Sequence, residues 1–198
     1  MFTKEQIENA VKSKGYVWFE DVDNKGYDVN IVGIRNSSTG DSVTNVFDDW
    51  LTISYKVDGQ WKCHVWPATT DPGKKAVLEF KNPNGVARLK EGQYRSSHEI
   101  RKHQGKYDAL CQKGLLEVYR DKNRDFKYDE SVTEKGSAFG INIHHAGQDS
   151  TYVETWSMGC QVFKRIVDFD EFMKICDKAR DIHGNSFTYT LIESGDIK

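Results

Sequence analysis

The sequence predicts a mainly β fold, α+β overall, built as a single domain over residues 1–198 with one helix near each end. Three observations predict it. Helical periodicity is confined to residues 3–14 and 168–183. The stretch between them is a series of short alternating runs separated by turn signals. The chain also carries 24 aromatic residues (5 Trp, 9 Tyr, 10 Phe) and only three prolines, enough large side chains for a core and no composition of disorder. No internal repeat and no long linker divides it. Residues 1–27 read as a helix and lead-in, 28–165 as the core, and 166–198 as a closing helix and strand.

The first helix starts at a capping box, Thr3 with Gln6, which closes two free N–H groups. Phe2, Ile7, Ala10 and Val11 form its apolar stripe, and Gly15 ends it. Residues 29–34 read as a strand. Residues 50–57 alternate, Asp58-Gly59 signals a type I′ turn, and residues 61–66 return as the partner strand. Residues 69–73 form a loop. Further strands are expected at 107–112, 115–119, 139–145 and 159–163. Phe169, Phe172, Met173, Cys176 and Ala179 form the second helical stripe, with Asp168 as its N-cap and Gly184 beyond its end. Residues 187–191 close the domain as a strand. Trp18, Trp50, Trp61, Trp66, Cys111 and Cys176 are assigned to the core, and residues 96–103 to solvated surface, with a wall of the substrate groove as the alternative because Gly92-Gln93-Tyr94 lies close in sequence.

Composition narrows the function classes. Lys+Arg is 28 and Asp+Glu is 30, so the net charge is −2, with no electrostatic footprint for general nucleic-acid binding. No apolar run approaches the roughly 20 residues of a membrane span. The N-terminal residues lack a signal-peptide pattern, so the chain is expected to be cytoplasmic as synthesised. Cysteines 63, 111, 160 and 176 form no CxxC pair and are expected to be free thiols. No cofactor and no metal is expected: the acidic run from Asp121 to Asp129 lacks the Gly and Glu of a calcium loop, and Cys63 and His64 point to opposite faces of a strand.

The chemistry concentrates in residues 139–163. A histidine at a strand end precedes Ser157-Met158-Gly159-Cys160. A thiol attacks as thiolate, and a neighbouring imidazole can take its proton and return it to a leaving amine. Gly159 lets the backbone come close to a substrate and aim N–H groups at an oxyanion. In an extended strand Asn142 and His144 share the face opposite Ile141, Ile143 and His145. His144 is therefore assigned as the base and Cys160 as the nucleophile, with Gly159 and Ser157 shaping the turn.

These residues resemble the catalytic motif of the L,D-transpeptidases of the YkuD type, a strand histidine followed by Ser-x-Gly-Cys. Ala68-Thr69-Thr70-Asp71-Pro72-Gly73 and Gly92-Gln93-Tyr94 resemble two further segments of that family in the same order. The combination is similar to a divergent branch associated with phages and gut bacteria. The resemblance implies a β-sandwich core, acyl transfer through a Cys160 thioester, and peptidoglycan stem peptides as partners. It makes Trp156, His145, Tyr94 and Gln161 candidate substrate contacts. One departure is plain: the family's arginine two residues after the cysteine is Val162 here. Arg101, Arg120 and Arg165 are candidate replacement charges. Without a signal peptide, delivery to the wall is expected by a phage lysis or virion route. The alternatives are a phage-type hydrolase with the same Cys-His site and a non-catalytic virion or wall-binding protein.

Overall fold

The computed structural model describes residues 2–198. Helix α1 (Lys4–Ser13) begins at the expected capping box, with Thr3 and Gln6 exchanging both bonds. Its buried stripe, Ile7, Ala10 and Val11, packs with Trp18, Val32, Ile34 and Ile192. Strand β1 (Asn30–Arg35) is buried along its whole length. Val32 and Ile34 face α1, whereas Ile31 belongs to the main core.

Strands β2 (Asp49–Val57) and β3 (Gln60–Thr69) form the predicted hairpin, with Asp58 at φ 51° and Gly59 at φ 75°, as a type I′ turn requires. A short helix α2 (Lys74–Glu79) follows. Next come β4 (Val86–Leu89), β5 (Gly92–His103), β6 (Tyr107–Gln112), β7 (Leu116–Asp121), β8 (Thr133–Gly136), β9 (Ile143–His145) and β10 (Gln161–Phe163). Helix α3 (Ile166–His183) and β11 (Phe187–Glu193) complete the chain.

Eight strands close into a barrel in the order β1-β11-β5-β6-β9-β10-β3-β2, and β4-β7-β8 form a separate small sheet. The fold is thus mainly β, but the expected sandwich of two sheets is not clearly there, because hydrogen bonding runs unbroken around the larger one. Two pairs are parallel, β1 with β11 and β9 with β10. A parallel pair needs a long connection. The one between β9 and β10 is the loop 146–160, which delivers Cys160.

Three expectations change. The strand expected at 139–145 shrinks to β9, because Gly140 turns at φ 71° and side chains replace the ladder bonds ahead of it. The Gln112 side chain accepts from Ile141 N at 3.2 Å, and Asn142 Oδ1 accepts from Gln112 N at 2.9 Å. Helix α3 starts two residues earlier than expected, with Arg165 at the N-cap. Asp168 sits in its first turn and accepts two bonds of 2.7 Å from the Arg165 guanidinium. Residues 96–103 are not a solvated face. They lie in β5, with Ser97, His98, Ile100 and His103 buried.

The core joins both helical and strand patterns. Phe169, Phe172, Met173 and Cys176 of α3 meet Trp66 and Phe163, with Phe163 and Phe172 rings 5.0 Å apart. Each such fully buried aromatic stabilises the fold by about 1.5–3 kcal/mol through area removed from water. No helix among the described residues is long and apolar enough to cross a membrane.

Candidate active site

A cleft of about 520 Å³ opens where the β5–β6 turn, the 139–142 segment and the loop before β10 meet. Cys160 and His144 both line it. The backbone of Gly159 explains the glycine. Its φ is 133°, and a Cβ there would stand 2.5 Å from the Ala87 carbonyl oxygen. Ser157 braces the turn: its hydroxyl donates to the Cys160 carbonyl at 2.7 Å and accepts from Gly159 N at 3.3 Å. The Gly159 N–H is therefore engaged and not free for an oxyanion. The Cys160 N–H has no partner among the described residues and is the better candidate donor.

The Cys160 thiol is half-buried. It donates to the Gly140 carbonyl at 3.3 Å, and its sulfur accepts from Asn142 N at 3.4 Å. It makes no hydrogen bond to His144. Loss of water pushes the thiol up to about 11, against the pull of the Asn142 N–H. Loss of water, with His103 beside it, pushes the His144 imidazole down to about 3. The resting pair is therefore neutral thiol and neutral imidazole.

The tautomer of His144 follows from its partners. Its Nδ1 lies 2.9 Å from the His145 carbonyl, which can only accept, so Nδ1 carries the hydrogen. Nε2 is left as a lone pair, with no partner among the described residues. This is the base form. The ring stacks on His103 at 4.3 Å between centroids. His103 is fixed in turn. Asn142 Oδ1 accepts from Gln112 N, so its Nδ2 donates to His103 Nδ1 at 3.0 Å.

Sequence reasoning singled out neither Asn142 nor His103 as a support for His144. Their signal lay in pairing between strands, not in spacing along one. The buried His98 has a similar role. Its Nε2 donates to the Ile141 carbonyl at 3.1 Å, and its Nδ1 pairs with the Ser97 hydroxyl at 2.8 Å. It thereby fixes the segment that presents Gly140 O and Asn142 N to the thiol.

The candidate substrate contacts divide. Trp156 lines the cleft and is 45% exposed; Met158 beside it is 41% exposed, so the rim offers bare apolar surface. Tyr94 lies elsewhere, its hydroxyl donating to the carbonyls of Lys90 and Glu117. Gln161 is buried beneath the turn, where its Nε2 donates to Gly159 O at 3.2 Å and its Oε1 accepts from the Tyr189 hydroxyl at 2.8 Å. Gly33 leaves the room for that hydroxyl, since a Cβ there would be 1.9 Å from it. The His145 ring points away from the cleft, against Tyr107 and Phe169. Its contribution to the site is its carbonyl. Arg101, Arg120 and Arg165 are paired with Glu99, Glu134 and Asp168, and none lines the cleft.

A thiol raised to about 11 has a pH signature. The thiolate fraction grows with pH until the raised value is passed. Iodoacetamide should therefore alkylate Cys160 about tenfold faster per pH unit from about pH 6 to about pH 9. A plateau across that range, read by mass spectrometry of the modified peptide, would instead mean a resting thiolate–imidazolium pair.

Comparison of the chain with family models, with curated proteins and with solved structures found no match.

Proposed function

We propose that this protein is a cysteine acyltransferase or peptidase. Within that class it is an L,D-transpeptidase-like enzyme of peptidoglycan stem peptides. The observation that carries the class is a cleft lined both by Cys160, on a Ser-x-Gly turn, and by His144, whose Nδ1–H is held by a backbone carbonyl. The narrower assignment rests on the motif resemblance alone.

The proposed steps use side chains and backbone groups that line the cleft. The Cys160 S–H leaves its bond to Gly140 O and turns toward Nε2 of His144. Because neither partner is charged at rest, proton transfer is concerted with attack of sulfur on the stem carbonyl carbon. The oxygen becomes an oxyanion beside the Cys160 N–H. His144 then gives its Nε2 proton to the leaving amine, the C–N bond breaks, and a thioester remains. An acceptor amine or water attacks the thioester next, with Nε2 taking its proton, and sulfur leaves as the restored thiol.

The test is incubation of the protein with purified muropeptides, followed by mass spectrometry. Released D-alanine, a cross-linked dimer or a shortened stem is the expected product, lost when the protein is first alkylated. Unchanged muropeptides would overturn the proposal. The raised thiol and its lack of a bond to His144 favour one other reading, a wall-binding protein that keeps the fold without turnover. Tight retention on wall fragments without any product would establish it.

A further inference from the structure

The cleft is lined by one formally charged side chain, that of Lys106, and by no carboxylate. Lys106 is exposed and makes no ion pair or side-chain hydrogen bond among the described residues. Its position is not loose. It closes the β5–β6 turn, with Gln104 at φ 50° and Gly105 at φ 73°, and its N–H donates to the His103 carbonyl at 2.9 Å. His103 in turn stacks on His144. The ammonium thus rises from a fixed turn beside the imidazole pair, close enough that it helps burial and His145 hold His103 below the usual histidine range. The remaining lining mixes aromatic and apolar side chains, Phe80, Phe139, Trp156 and Met158, with neutral polar ones, Gln104, Asn142 and Thr155. An unpaired cation in a cleft lined by no carboxylate favours an anion on the ligand, because no opposite charge in the lining answers it.

We propose that Lys106 is a specificity-determining residue that pairs with a free carboxylate on the acyl donor, so that the cleft selects anionic peptides. The choice of a peptide rests on the function proposed above; the preference for an anion does not. Two sources carry that chemistry on a stem peptide, the C-terminal carboxylate and a side-chain carboxylate.

The test begins with Cys160 itself. Alkylation rates with iodoacetate, an anion, and iodoacetamide, its neutral analogue, are measured at about pH 8, and their ratio is compared among variants. Relative to the wild type the ratio should fall about threefold to tenfold in Lys106→Met, fall further in Lys106→Glu, and recover in Lys106→Arg. Added salt should shrink the wild-type preference by screening. A ratio that does not change across the variants, or no alkylation of Cys160 by either reagent, would overturn the inference.

A peptide arm locates the carboxylate. A stem tetrapeptide is compared with its C-terminal amide and with the form amidated on the side chain. Lys106→Met should raise KM more than it lowers kcat, and only for forms that keep the contacted carboxylate. An unchanged alkylation ratio with active stem cleavage would sink Lys106 alone. A responsive ratio with no stem cleavage would keep the anion site and sink the peptidoglycan reading.

Discussion

Cys160→Ala should abolish product formation from muropeptides, and His144→Ala should lower kcat by about 10²- to 10⁴-fold with a much smaller change in KM. The asymmetry follows from the roles. Without sulfur no thioester can form. Without the imidazole, thiol and leaving amine exchange protons only with water. His144 is 5% exposed and lies among His103, Tyr107 and the His145 carbonyl. Its truncation removes packing as well as a base, so the melting temperature must be read beside kcat. Cys160→Ala is the cleaner variant, since it gives up only the contacts with Gly140 O and Asn142 N. It should melt within a few degrees of the wild type. Cleavage that persists in folded Cys160→Ala would end the thioester mechanism. Equal kcat in wild type and His144→Ala would leave the thiol but remove its base.

The parts of the site that lie on one short stretch of chain were readable from sequence. Ser157, Gly159 and Cys160 are close enough that one turn decides their geometry. His144 followed from alternation, even though the strand that carries it is only three residues long. What alternation could not give is the route of the chain just before it. Gly140 bends the backbone, and Gln112 and Asn142 trade side-chain bonds for ladder bonds. That exchange spans some thirty residues of sequence, and no local pattern announces it.

The same limit hid His98 and His103. Flanking Arg101 and Lys102, they look solvated, yet in β5 both His98 and His103 are buried while Arg101 and Lys102 stay exposed, a pattern that simple alternation does not produce. The barrel was hidden for a related reason. Strands read singly do not say which partners they take, and parallel pairing of β11 with β1 joins the two ends of the chain.

Replacing Arg35 should give the largest loss of stability. Arg35 is 1% exposed at the end of β1, a residue that sequence alone gave no reason to bury. Its guanidinium lies 2.6 Å from Glu91 and 2.9 Å from Asp71, and donates to the carbonyls of Thr70 and Leu89. Burial would push the Asp71 carboxyl up, but Arg35 and Arg88 together hold it below the usual carboxylate range. Nearby, Asp49 accepts from Thr70 N at 2.6 Å and from its hydroxyl at 2.9 Å. In Arg35→Met the carboxylates of Asp71 and Glu91 lose this partner while two carbonyls lose their donor.

Breaking one side of a buried pair in this way is worth about 3–5 kcal/mol. In a chain of this length that is a fall of roughly 10 °C or more in melting temperature. A surface pair such as Arg101 with Glu99 sets the comparison, since Arg101→Met should lower stability by no more than about 1 kcal/mol. The knot also reaches the site. Thr70 and Asp71 lead into Gly73, whose N–H donates to the Ser157 carbonyl at 3.1 Å. Below its lowered melting temperature, Arg35→Met should therefore also alkylate differently at Cys160, because the turn that carries the thiol has lost its anchor. Calorimetric melting indistinguishable from that of Arg101→Met would show that the cluster is not what holds this end of the barrel.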